Sequence, residues 1–155
     1  MENSDNHKRL KKIGVLVGRI LLGGIFVFAG ITKIVDPDGF SEAIENYRLL
    51  PLMFINSLAI YLPYLEVIVG LILILGPRRK GAVLLLNLMM LGFTFGIIYA
   101  MIRGLDIDCG CFGTGESSKI GFPVLIRDLV LLLISILLFI EEGFIRENSL
   151  AKTSS

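Results

Sequence analysis

The chain is poor in charge, in histidine and in cysteine. Charged residues are 19% of the 155, and more than half of the residues are hydrophobic, which is not the composition of a soluble domain of this length. The net charge of +1 gives no reason to expect a nucleic-acid partner. His7 is the single histidine, and Cys109 and Cys111 are the two cysteines. They do not complete a four-ligand zinc centre within the chain, so no metal site is expected. A phosphate-binding loop, a Ser-His-Asp set and a haem-ligand pattern are also missing.

What the chain has in abundance is long apolar runs. About 20 residues rising 1.5 Å each cross the hydrocarbon of a bilayer. Four segments reach that length, at about 13–35, 58–75, 82–102 and 122–140. The expected fold is therefore all-α: an integral membrane four-helix bundle spanning 13–142 in the lipid bilayer. It is flanked by an N-terminal tail at 1–12 and a tail at 143–155 expected to be disordered. The first run follows "HKRLKK", but its apolar core exceeds the roughly 7–15 residues of a secretory h-region, and no small-residue cleavage pattern follows it. It reads as a retained span.

Positive residues in short loops resist translocation and so set orientation. Lys8, Arg9, Lys11 and Lys12 precede the first span, and Arg78, Arg79 and Lys80 join the second to the third. The other two loops are acidic, with Asp36, Asp38, Glu42 and Glu45 in one and Asp106, Asp108 and Glu116 in the other. Both termini are expected in the cytoplasm of a bacterial cell, with the protein multi-pass in its inner membrane. The stretch "DCGCFG" then lies on the outer, periplasmic side, where disulfides persist. In the first outer loop, Phe40, Ile44 and Tyr47 share one helical face. They predict a short amphipathic helix along the membrane surface, apolar side down; the simpler alternative is a helix that only covers the bundle.

Ionisable side chains inside a bilayer are functional candidates by default. At 1.5 Å per residue, Glu66 lies about 12 Å, Asp128 about 8 Å and Arg127 about 6 Å below the outer boundary, with Lys33 near the surface. These four are expected to converge beneath the cysteine loop, and Arg19 to reach up from deeper toward Glu66. Such a cluster either fixes helix register through ion pairs or forms a polar pocket that holds a head group or quinone, or passes protons. Gly23, Gly24, Ala29 and Gly30 in the first span, and Gly92 and Gly96 in the third, give the small-residue spacing of close helix packing. Packing within the chain is the expected use, with a homo-oligomer the other.

A disulfide between cysteines one residue apart closes almost no loop and adds little as a staple. Strained or exposed disulfides are the exchanging ones. The pair Cys109–Cys111 therefore points to redox exchange. Gly110 and Gly113 remove side-chain bulk, and Phe112 is placed to anchor the loop. Asp106 and Asp108 oppose an acidic thiol, so activation would come from Lys33, Arg127 or the partner.

Taken in order, these elements resemble the DoxX-like family and its methylamine-utilisation MauE branch. Arg19, Gly23, Gly30 and Lys33 match the first span, followed by "DPDGF" and "YRLLP". Pro63, Glu66 and Gly70 match the second span, "CGCFG" the third loop, and Arg127 with Asp128 the opening of the fourth span. The resemblance implies a membrane protein working with an extracytoplasmic thioredoxin-fold protein in the maturation of secreted redox enzymes. A second cysteine pair, of the kind four-helix quinone-linked disulfide oxidases use as a relay, is missing. The leading expectation is thiol–disulfide exchange through Cys109 and Cys111, over a polar centre of Arg19, Lys33, Glu66, Arg127 and Asp128. The residues establish no cofactor, and a quinone is one candidate. The alternatives are a non-catalytic anchor or assembly subunit for a periplasmic redox complex, and a small transporter or a lipid- or quinone-binding bundle centred on Glu66.

Overall fold

In hydrocarbon a backbone N–H finds a partner only within its own helix or in a closed barrel, so long runs of Leu, Ile and Val become helices. The computed structural model describes residues 2–76, 79–110 and 119–153, with backbone alone at 2–8, 12, 79 and 142–153. Helices α1 (Glu2–Val35), α2 (Pro37–Asn46), α3 (Leu52–Leu75), α4 (Arg79–Ile102) and α5 (Phe122–Thr153) follow in that order. Four of them are long and apolar enough to cross a membrane, over Arg9–Val35, Leu52–Leu75, Lys80–Ile102 and Phe122–Glu141. Many large apolar side chains, among them Phe28, Ile60, Phe95 and Leu133, are exposed on the outside of the bundle, as a lipid-facing surface requires.

Two boundaries differ from the sequence expectation. The second span begins at Leu52 rather than near 58, because Pro51 stands at the N-cap of α3, where a missing N–H costs nothing. At the other end of the chain, α5 runs on through Thr153, so the stretch expected to be a disordered tail continues the helix. An exposed ion pair between Lys11 and Glu141 (3.2 Å) joins α1 to α5 there.

α1 packs most closely on α3 and α4 on α5, and α3 with α4 closes the bundle. The first contact depends on glycine. A Cβ added at Gly70 would lie 2.7 Å from the Gly23 carbonyl oxygen, and one at Gly30 would lie 2.6 Å from the Pro63 carbonyl oxygen. Backbones approach this closely only where side chains are missing. Leu22, Phe26, Val69, Leu73, Leu86 and Leu132 fill the core between the helices. A buried polar bridge links α4 to α5: Ser135 Oγ donates to Asn87 Oδ1 (2.6 Å), and Asn87 Nδ2 donates to the Val83 and Ser135 carbonyls.

α2 lies across the end of the bundle that also carries residues 103–110 and 119–121. Its N-cap Asp36 accepts from the Gly39 N–H at 3.0 Å, and Pro37 starts the first turn. Phe40 and Ala43 are buried against the protein. The apolar face thus covers the bundle, the simpler of the two expectations, instead of resting on lipid.

Candidate functional site

The site assembles at the α2 end from the last turn of α1, the middle of α3 and the start of α5. Lys33 Nζ donates to Glu66 Oε1 at 2.6 Å, and both side chains are 1% exposed. The ammonium also sits 4.9 Å from the ring centroids of both Phe40 and Phe93, so two aromatic faces share its charge. Glu66 Oε2, also buried, has no hydrogen-bond partner among the described residues. Beside the pair is a small pocket of about 30 Å³ that Arg127 and Asp128 also line. Thr94 Oγ1 donates to Asp128 Oδ2 from the neighbouring helix α4.

Lys33, Glu66, Arg127 and Asp128 therefore surround one pocket. Arg19 does not join them. Its guanidinium donates to the Leu73 carbonyl at 3.0 and 3.1 Å and to the Ile74 carbonyl at 3.3 Å. Leu73 is seven residues beyond Glu66, about 10 Å along the helix axis. The expected reach toward Glu66 is replaced by capping. The last carbonyls of a helix have no intrahelical donor, and in hydrocarbon they need one.

Above this pocket, the strand-like ends of the 103–121 loop meet at a bridge between Asp108 and Lys119, with the Ile120 N–H donating to the Ile107 carbonyl at 2.9 Å. Lys119 also pairs with Asp106 at 2.8 Å on the exposed side of the loop. Its hydrogen bond to Asp106, together with that carboxylate's charge, holds the ammonium above its ordinary value. Cys109 follows the bridge and turns inward, buried against Ile97 and Val124. Gly110 adopts φ +65°, and a Cβ there would lie 2.9 Å from Ala43 Cβ, so both its backbone and its packing on α2 demand glycine. Cys111, Phe112 and Gly113 lie outside the described residues.

Tyr47, just past α2, ties the loop down: its hydroxyl donates to the Cys109 carbonyl at 2.9 Å. Burial, and then the Asp128 carboxylate, push this phenol up to about 12, so it remains a donor at every physiological pH. Tyr47→Phe is expected to remove about 1 kcal/mol, a fall in Tm of about 2–4 °C. Faster amide exchange at 106–110 is expected with it. Unchanged exchange there would show that the bond does not hold the loop.

Between α2, α3 and α4 is an apolar cavity of about 340 Å³. Phe40, Ala43 and Tyr47 roof it, Leu58 and Leu62 form one wall, Met89, Gly92 and Phe93 the opposite wall, and Cys109 closes the loop end. Gly92 and Gly96 were expected to bring helices together. Instead a Cβ at Gly92 would meet nothing within 4 Å, and one at Gly96 would only touch the Tyr47 ring at 3.5 Å. They make room. Tyr47, Phe40, Phe93 and Lys119 are site residues that the sequence reading did not nominate. The spacing of Phe40 and Tyr47 was a signal for a buried face, whereas nothing in the sequence marked Phe93.

These features define a class: a multi-pass membrane protein whose helices bury a lysine–glutamate pair under a cysteine-bearing loop. The chain belongs to the MauE family, whose model, described as "Methylamine utilisation protein MauE", matches residues 11–141. The Methylamine utilization protein MauE of Paracoccus denitrificans is 31% identical over 114 residues, covering 73% of this chain and 61% of that protein. That of Paracoccus versutus is 31% identical over 115 residues with the same coverage, and that of Methylophilus methylotrophus is 32% identical over 109 residues, covering 69% and 57%. The chain thus spans about three fifths of the length of these curated relatives. No solved structure matches it.

Proposed function

We propose that this protein exchanges electrons between Cys109–Cys111 and an extracytoplasmic thioredoxin-fold protein, in support of disulfide formation in secreted redox enzymes. One observation carries the reading: the cysteine loop is bound to a buried, polar-centred membrane bundle, and among the described residues no cysteine is a free thiol. The loop's acidic flanks and the basic residues of the opposite connections support an outward-facing pair. Names of relatives that refer to methylamine utilisation support a maturation role.

In the exchange, a thiolate of the partner attacks one sulfur of the Cys109–Cys111 disulfide. A mixed disulfide forms and the other cysteine leaves as a thiolate. The partner's second thiolate then attacks its own sulfur of the mixed disulfide. The partner ends oxidised, and Cys109 and Cys111 end as two thiols once a proton reaches each sulfur.

Cys109→Ser and Cys111→Ser, each alone, are expected to trap the partner in a complex that runs as one band without reductant and separates with it. The double variant traps nothing. An impermeant maleimide is expected to label the pair in whole cells after mild reduction. Normal client disulfides in all three variants would refute the exchange and leave a non-catalytic anchoring subunit.

A further inference from the structure

We propose that the apolar cavity beside Cys109 binds the ring of a lipid-soluble quinone, which takes up the electron pair left on the two cysteines. This inference rests on the thiol–disulfide reading and names the acceptor for it. The cavity, at about 340 Å³, falls within the roughly 300–1,000 Å³ of small-molecule sites, which are mostly apolar with a few placed polar groups.

Three observations select the ligand. Cys109 forms part of the cavity wall, so a molecule inside lies against one cysteine of the pair. The exposed residues that line it, Leu49, Leu50 and Leu58, are all apolar, and Leu58 lies on span α3. Its opening is therefore apolar and meets a membrane helix, which suits a ligand soluble in lipid. Finally, the chain has two cysteines, and among the described residues no cluster suited to a metal ion exists. Among the described residues, electrons on the pair thus meet no further cysteine pair or metal cluster to carry them on. A ligand that dissolves in lipid, fits between aromatic and aliphatic walls and accepts two electrons with two protons is a quinone.

The place of the cysteine gives an orientation: Cys109 closes one end of the cavity, which sets the ring there and the isoprenoid chain toward the leucine-lined mouth. The reaction balances without another reagent. Two S–H bonds break and one S–S bond forms. Two electrons and two protons pass to the two carbonyl oxygens, giving the hydroquinone.

Gly92 supplies the test, because it lines the cavity and a Cβ there would meet nothing within 4 Å. Full-length protein in nanodiscs is photolabelled with an azido-quinone, and the reduced protein is separately mixed, without oxygen, with a short-chain ubiquinone. Wild type is expected to be labelled on α2 and α4 and to reoxidise its thiols as hydroquinone appears. Gly92→Phe is expected to lower both signals by about tenfold or more, while partner trapping by the cysteine variants made in its background persists. Gly24→Phe, where a Cβ likewise meets nothing within 4 Å, is expected to behave as wild type. Labelling no stronger than that by a photoreactive acyl chain, or Gly92→Phe matching wild type in reoxidation, overturns the proposal. Failure of partner trapping with quinone labelling intact overturns the exchange reading and leaves the quinone site standing.

Discussion

Lys33→Met is expected to lose about 3–5 kcal/mol of stability, the usual cost of leaving one member of a buried ion pair uncompensated. Lys33 Nζ donates to Glu66 Oε1 at 2.6 Å, and among the described residues the second oxygen, Oε2, has no donor. With Lys33 gone the whole carboxylate is stranded in a site 1% exposed. The same change removes the cation between Phe40 and Phe93, so α2 also loses an attachment. In detergent the fall in Tm is expected to be roughly 6–20 °C. The double variant Lys33→Met/Glu66→Leu is expected to recover most of that loss, because apolar replacements of a buried pair are close to neutral. A single variant that melts with wild type would show that the pair contributes nothing to holding α1 on α3. Thiol exchange in the recovered double variant then separates a structural pair from one that serves the chemistry.

Gly70→Val is expected to be comparably damaging, for a steric reason. Its Cβ would lie 2.7 Å from the Gly23 carbonyl oxygen, 2.8 Å from Val27 Cγ2 and 3.1 Å from the Val27 nitrogen. Two of those atoms are backbone and cannot rotate away, so α1 and α3 must separate along their closest contact. Overpacking of this kind costs about 1–3 kcal/mol or more, and here it acts on the most extensive helix pair in the bundle. Loss of the folded band on mild detergent electrophoresis is the expected result, with Gly24→Val as a tolerated control. A Gly70→Val protein that keeps the wild-type Tm would refute the close crossing.

The four spans were legible because hydropathy is a property of each segment taken alone. The start of α3 was not, since Asn56 and Ser57 resemble a loop until Pro51 is recognised as a helix start. Depth along each helix was enough to bring Lys33, Glu66, Arg127 and Asp128 to the same end of the bundle, because rise per residue is nearly constant. Arg19 escaped that logic. Its acceptors are backbone carbonyls, and no residue type announces a carbonyl. The cavity was equally hidden: it arises from how α2 crosses α3 and α4, and Gly92 reads the same whether it touches a helix or an open space. The Asn87–Ser135 bridge was overlooked because two neutral polar residues scarcely disturb a hydropathy average.

The fit of Gly110 over Ala43 has a mechanical consequence. With no gap between the loop backbone and α2, and with the Tyr47 hydroxyl fastened to the same turn, the sulfur-bearing segment and the roof helix behave as one lever. A displacement of that segment therefore strains the roof as well, and the chamber underneath feels the tug.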